Sequence, residues 1–105
     1  MIEFKKVSAN SISNYEVEAN GEKAGRGSVE VDKNYIYLKY KSYDAHFTEF
    51  LIRCLLNVCI DYPNRCVSVE SSDKELMQKL GFKNTLNNHY EINTNEINLK
   101  GSCKE

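Results

Sequence analysis

No apolar run in the sequence approaches the roughly 20 residues needed to span a bilayer, and the opening "MIEFKKVSAN" has no signal-like apolar stretch. These absences lead us to expect a cytoplasmic protein with no membrane contact. An excess of one charge is missing too: the formal net charge is -1, so nucleic acid or an anionic surface meets no overall attraction and is not an expected partner. Cysteine pairs at metal-ligand spacing are also absent. Cys54, Cys59, Cys66 and Cys103 contain no C-x-x-C, and His46 and His89 complete no zinc pattern, so no metal site is expected. In the cytoplasm those four thiols would be reduced. There is no repeat, low-complexity tract or linker, so residues 1–105 are expected to form a single domain.

What is present is ordinary for a soluble globular chain: 41% hydrophobic and 28% charged residues, enough for one core. "IEFKKV" alternates apolar and polar residues and predicts a strand; "SANSISN" after it reads as a connection. "YEVEA" and "GSVEV" predict two more strands, with Asn20-Gly21 between them, a pair suited to the positive φ angles of a type I′ turn. Asp32-Lys33-Asn34 turns the chain into "YIYLKY", the fourth strand. The period then changes. Phe47, Phe50, Leu51, Cys54, Leu55 and Val58 lie on one stripe of a helix, Asp44 is a candidate N-cap, and Glu49 and Arg53 are an i, i+4 pair. Residues 66–70 predict a buried strand, and Ser72-x-x-Glu75 a capping box opening a short helix that Gly81 ends. "HYEIN" and "EINLK" read as a closing hairpin. The order is β-β-β-β-α-β-α-β-β, in which the helix between the fourth and fifth strands makes that pair parallel with a right-handed crossover.

This order, together with the segment "SSDKELMQKLGFKN", resembles the Gcn5-related N-acetyltransferase (GNAT) superfamily. Leu76 and Gly81-Phe82 match the Leu-x-x-x-x-Gly-Phe core of that family's closing helix. The resemblance spans about Tyr15 to Leu99. It implies an α/β fold (α+β in some schemes) with a mixed, mostly antiparallel sheet. It also implies an acyl-CoA-dependent N-acyltransferase that takes acetyl-CoA or another acyl-CoA and an amine acceptor. The two helices that usually follow the family's first strand have no room here, because only Ser8 to Asn14 separate the first two strands.

By the same resemblance, the coenzyme would lie along Tyr40 and Lys41 and the turn of Tyr43, Asp44, Ala45, His46, Phe47 and Thr48, held mainly by backbone groups. The family's loop places Gly at the position of His46 and Gly or Ala at that of Thr48, with Arg or Gln at that of Tyr43. None of these residues is present, and an L-residue costs about 1–2 kcal/mol in left-handed geometry. Met77 stands where the family has a tyrosine proton donor. Glu70 and His46 are the candidates for taking the amine proton.

On the fourth strand Tyr35, Tyr37, Lys39 and Lys41 share one face, and Ile36, Leu38 and Tyr40 the other. Rings interleaved with cations can stack bases and pair with phosphates. The simpler accounts are a sheet face left open by the missing helices, or a homodimer that covers it. The alternative to catalysis is accordingly a binding or dimerisation module that keeps the fold without the chemistry.

Overall fold

A computed structural model of the chain describes residues 2–9 and 12–98, apart from the side chains of residues 8 and 9. Seven strands form one sheet: β1 (Ile2–Ala9), β2 (Ile12–Ala19), β3 (Glu22–Val31), β4 (Tyr35–Ser42), β5 (Cys66–Glu70), β6 (Lys83–Leu86) and β7 (His89–Asn93). Their spatial order is β1-β2-β3-β4-β5-β7-β6. All neighbours are antiparallel except β4 and β5, which pair in parallel, as the intervening helix α1 (Thr48–Cys59) requires. The short helix α2 (Lys74–Lys79) follows β5. No helix among the described residues is long and apolar enough to cross a membrane.

Local chemistry sets the turns. Asn20 and Gly21 adopt φ of 55° and 85°, as the β2–β3 hairpin demands. The Asp32 carboxylate accepts the Lys33 N–H at 2.7 Å, tying the turn into β4. After α2, Gly81 takes φ 94°, and the Phe82 N–H donates to Met77 O at 3.0 Å, folding the chain back over the last turn.

Three expectations shift. Within the stretch expected to be a connection, Ser8, Ala9 and residues 12–14 are strand, since Ser8 and Ala9 pair with Asn14 and Ser13, while residues 10 and 11 lie outside the described residues. Ladder hydrogen bonds use the backbone and do not need apolar side chains. The cap of α2 is Asp73, whose carboxylate accepts the Leu76 N–H at 3.1 Å, in place of the Ser72-x-x-Glu75 box. The closing hairpin lies earlier than "HYEIN"–"EINLK": it joins β6 to β7 through Asn87, at φ 52°. Asn93 then accepts the Asn95 N–H at 2.8 Å, starting a 3-10 turn (Thr94–Glu96) that runs into the first residue of the expected last strand; residues 97 and 98 are not strand, and residues 99 and 100 of that expectation lie outside the described residues.

Both helices cover one face of the sheet. α1 lies close because β3 presents glycine beneath it: a Cβ on Gly27 would stand 2.6 Å from Leu55 Cδ1, and one on Gly25 3.1 Å from Leu51 Cδ2. Ile36, Leu51, Leu55, Leu56, Val67 and Met77 are fully buried in a single core. The buried arc of α1 is wider than the predicted stripe and takes in Ile52, Leu56 and Cys59. Cys59 and Cys66 carry free thiols. Cys54 is disulfide-bonded, a departure from the expected reduced state, and Cys103 lies outside the described residues. Among the described residues no helix lies over the opposite face of β3 and β4, and Arg26, Tyr35, Tyr37, Lys39 and Lys41 are exposed there.

Candidate functional site

β4 pairs with β5 only from Tyr35–Cys66 to Leu38–Val69. Beyond that point Lys39 to Ser42 stay on β3, with Ser42 opposite Gly25, while β5 continues along β7. The two parallel strands therefore part, and α1 starts at the wide end of the opening. A splay of this kind leaves one edge of a strand without a ladder partner, ready for an extended ligand.

Tyr40 reaches into the splay. Its phenol and the hydroxyl of buried Ser71 are 2.7 Å apart, and Ser71 Oγ also accepts the Asp73 N–H at 3.0 Å. The sequence reading used only the backbone of Tyr40. The usable signal was its place on the covered-face parity with Ile36 and Leu38, because a tyrosine tucked under a helix needs a partner for its hydroxyl.

The turn before α1 is closed on itself. The Tyr43 N–H donates to Ala24 O at 2.9 Å, and the Phe47 N–H to Asp44 O at 3.0 Å. The Thr48 N–H donates to Ala45 O, and the His46 N–H to Asp44 Oδ1 at 3.0 Å. Asp44 is thus the cap of a 3-10 turn (Ala45–Phe47) and not of α1 itself. The Thr48 hydroxyl donates to Ser42 Oγ at 2.7 Å, which donates to Asp44 O at 2.9 Å. No residue from Tyr43 to Thr48 has positive φ, so the turn is built without the left-handed geometry that glycine would supply. Phosphate cradles use free amides at a helix start. Four amides here already have acceptors, and a carboxylate holds one of them.

The charge around the start of α1 is also spoken for. Glu49 bonds Arg53 at 2.8 Å and Lys79 at 3.0 Å, joining α1 to α2. These hydrogen bonds, Lys79 first, hold its carboxyl below the usual carboxylate range.

The two candidate bases are not brought together. His46 is fully out in solvent, its Nδ1 3.4 Å from Asp44 Oδ1. Glu70 ends β5 on the open-face parity, opposite His89. Met77, at the position of the family's tyrosine, is fully buried. The protic groups that do meet in the splay are Tyr40 and Ser71.

Several solved structures share this architecture. An aminoglycoside acetyltransferase, AAC(6')-Ib in complex with coenzyme A, aligns with a TM-score of 0.62 at 14% identity, over 81% of this chain and 68% of its own. The ribosomal-protein-S18-alanine N-acetyltransferase from Escherichia coli gives 0.61 at 16% identity, over 75% of this chain and 57% of its own. A spermidine N-acetyltransferase SpeG chimera from Vibrio cholerae and hSSAT gives 0.63 at 15% identity, over 83% of this chain and 69% of its own. No protein-family model matches the sequence, and no curated protein matches it. At these identities the likeness speaks for the fold: the chain has the GNAT fold, in a divergent and shortened form.

Proposed function

We propose that this chain is a minimal, GNAT-type acyl-CoA-dependent N-acyltransferase, with an acyl-CoA thioester lying in the splay between β4 and β5. The observation that carries this reading is the parting of the two parallel strands beyond Leu38 and Val69, with the start of α1 at its mouth. A bound acyl-CoA would supply an activated thioester carbonyl. The strand edge at Tyr40 and Lys41 can line its arm. The Tyr40 phenol, held against Ser71, stands where a proton can be kept for a leaving thiolate, a place Met77 cannot fill. Glu70 and His46 remain the candidate acceptors of the amine proton.

The splay fits an extended arm, but the turn of Tyr43 to Thr48 fits a pyrophosphate only when Asp44 releases the His46 amide. Hydrogen bonds to charged groups are worth about 1.5–3 kcal/mol each. Two unavailable donors would therefore move a micromolar ligand to about millimolar. That engaged turn favours the second reading, a non-catalytic binding or dimerisation module on the same fold.

Calorimetric titration with acetyl-CoA and CoA separates the two. The enzyme reading expects weak binding that tightens about fivefold or more in Asp44→Asn, because the substitution removes the negative charge facing the phosphates. Silence from both proteins at about 10 mM ligand would reject acyl-CoA binding. With binding in hand, Tyr40→Phe is expected to lower kcat while changing KM little, as loss of a proton donor should.

A further inference from the structure

The sheet face turned away from both helices carries a cluster of side chains that acyl transfer does not use. Arg26 and Lys41 are direct cross-strand partners, and Lys39, opposite Ser28, lies on the same face. Like charges directly opposite one another are destabilising, so the fold gains nothing from the arrangement. The nearest carboxylates on this face, Glu16 opposite Arg26 and Glu30 opposite Tyr37, form no ion pair with it. Glu16 stands opposite Arg26 in register, yet its carboxylate lies 3.4 Å from Lys23, and that of Glu18 lies 3.1 Å from Lys5. Among the described residues Arg26, Lys39 and Lys41 enter no ion pair.

A concavity of about 510 Å³ sits over these cations, with Asn14, Glu16 and Ser28 in its lining. Farther along β4, Tyr35 and Tyr37 are 42% and 40% exposed and stack with ring centroids 6.0 Å apart. Residues 35, 37, 39 and 41 thus form one row roughly 20 Å long, at about 3.3 Å per strand residue. Aromatic faces lie at one end and unpaired cations at the other.

We propose that this face binds single-stranded nucleic acid, with phosphates on Arg26, Lys39 and Lys41 and bases stacked on Tyr35 and Tyr37. The pairing of a basic groove with exposed rings is the chemistry that recognises unpaired strands. An acidic peptide would use the cations and leave the rings idle, and a duplex hides its base faces. A second copy docking by the same face would bring cations against cations. The net charge of -1 does not oppose this, because at physiological salt charges act over about 8 Å and the local cluster decides. The proposal is independent of acyl transfer.

The test is fluorescence anisotropy of the full chain with a labelled single-stranded RNA of about 12 nucleotides. Binding is expected to weaken with salt at a log–log slope of about -2, for three phosphates on a single strand. Tyr37→Ala should weaken it about five- to a hundredfold. Arg26→Gln/Lys39→Gln/Lys41→Gln should flatten the salt slope, while Lys74→Gln, on α2, leaves it unchanged. Circular dichroism reports that each variant is folded. No anisotropy change at about 100 μM protein would overturn the proposal. So would equal affinity for duplex with no effect of Tyr37→Ala, or equal competition by poly-glutamate. A dimer detected by molar mass that Tyr37→Glu dissociates would overturn it in favour of a second copy.

Discussion

The two faces of one strand, β3, present opposite situations. Gly25 and Gly27 turn toward α1, where even a methyl group would press on Leu51 or Leu55. Arg26 and Ser28 turn the other way, where Arg26 faces another cation across the sheet. On the helix side, apart from the splay at Tyr40, the chain's groups are matched from within: apolar groups meet apolar groups, Glu49 takes both Arg53 and Lys79, and four amides of the Tyr43–Thr48 turn find acceptors. On the other side charge and aromatic surface are left over. A closed region explains the fold, while a region with uncompensated groups points to a ligand.

The contrast can be broken most forcefully at the glycine contact. Leu55→Ala is expected to cost about 2–5 kcal/mol and Gly27→Ala about 1–3 kcal/mol, read by urea denaturation. Together they should cost less than their sum, because the shortened side chain vacates the position 2.6 Å from the new methyl. Ser28→Ala, one residue along but facing outward, should stay within about 0.5 kcal/mol. If it costs as much as Gly27→Ala, the open face is a second core and the contrast collapses.

A smaller effect sharpens the electrostatic half of the comparison. Glu49→Gln is expected to lower stability by under about 1 kcal/mol at pH 6, the modest worth of a partly exposed pair. The folded carboxyl is depressed below its ordinary 4.5, so its contribution is complete above that value and is lost as pH falls through the folded pKa. Unfolding curves of the two proteins should therefore converge toward pH 3. A gap that stays open at low pH would assign the loss to packing.

The smallest effect compares two thiols. Burial pushes Cys59, the buried last residue of α1, up to about 12, and Cys66, on the open-face parity, up to about 11, the latter with help from Glu91. Native protein treated with iodoacetamide at pH 8 should modify Cys66 before Cys59, about tenfold faster on thiolate fraction alone, as peptide mapping would show. Reversal of that order would mean that the helix side opens more readily than the sheet edge.

The elements easiest to read were those whose signal is local and repetitive. The presence of α1, the Asn20-Gly21 turn and the Gly81 stop stand as expected because each depends on a few neighbouring side chains and backbone angles. Among the described residues, the Ser8–Asn14 connection and the closing hairpin differ from expectation because pairing is set by backbone ladders and by the cap at Asn93, and the α2 cap differs because Asp73 competes with Ser72. At the site, the loss of glycine before α1 was visible in the sequence, but the engagement of its amides was not. Nor was the reach of Tyr40 to Ser71, 31 residues away.

The sequence by itself determined the order of elements, the parallel β4–β5 pair and the absence of a glycine cradle, since periodicity and turn chemistry act over a few residues. Tertiary structure alone decided that β4 leaves β5 after Leu38, that Tyr40 occupies the opening, and that Arg26 faces Lys41 without a carboxylate between them. Such facts depend on strand register. A one-residue slip would put every side chain on the other face, so they exist only once distant strands have met.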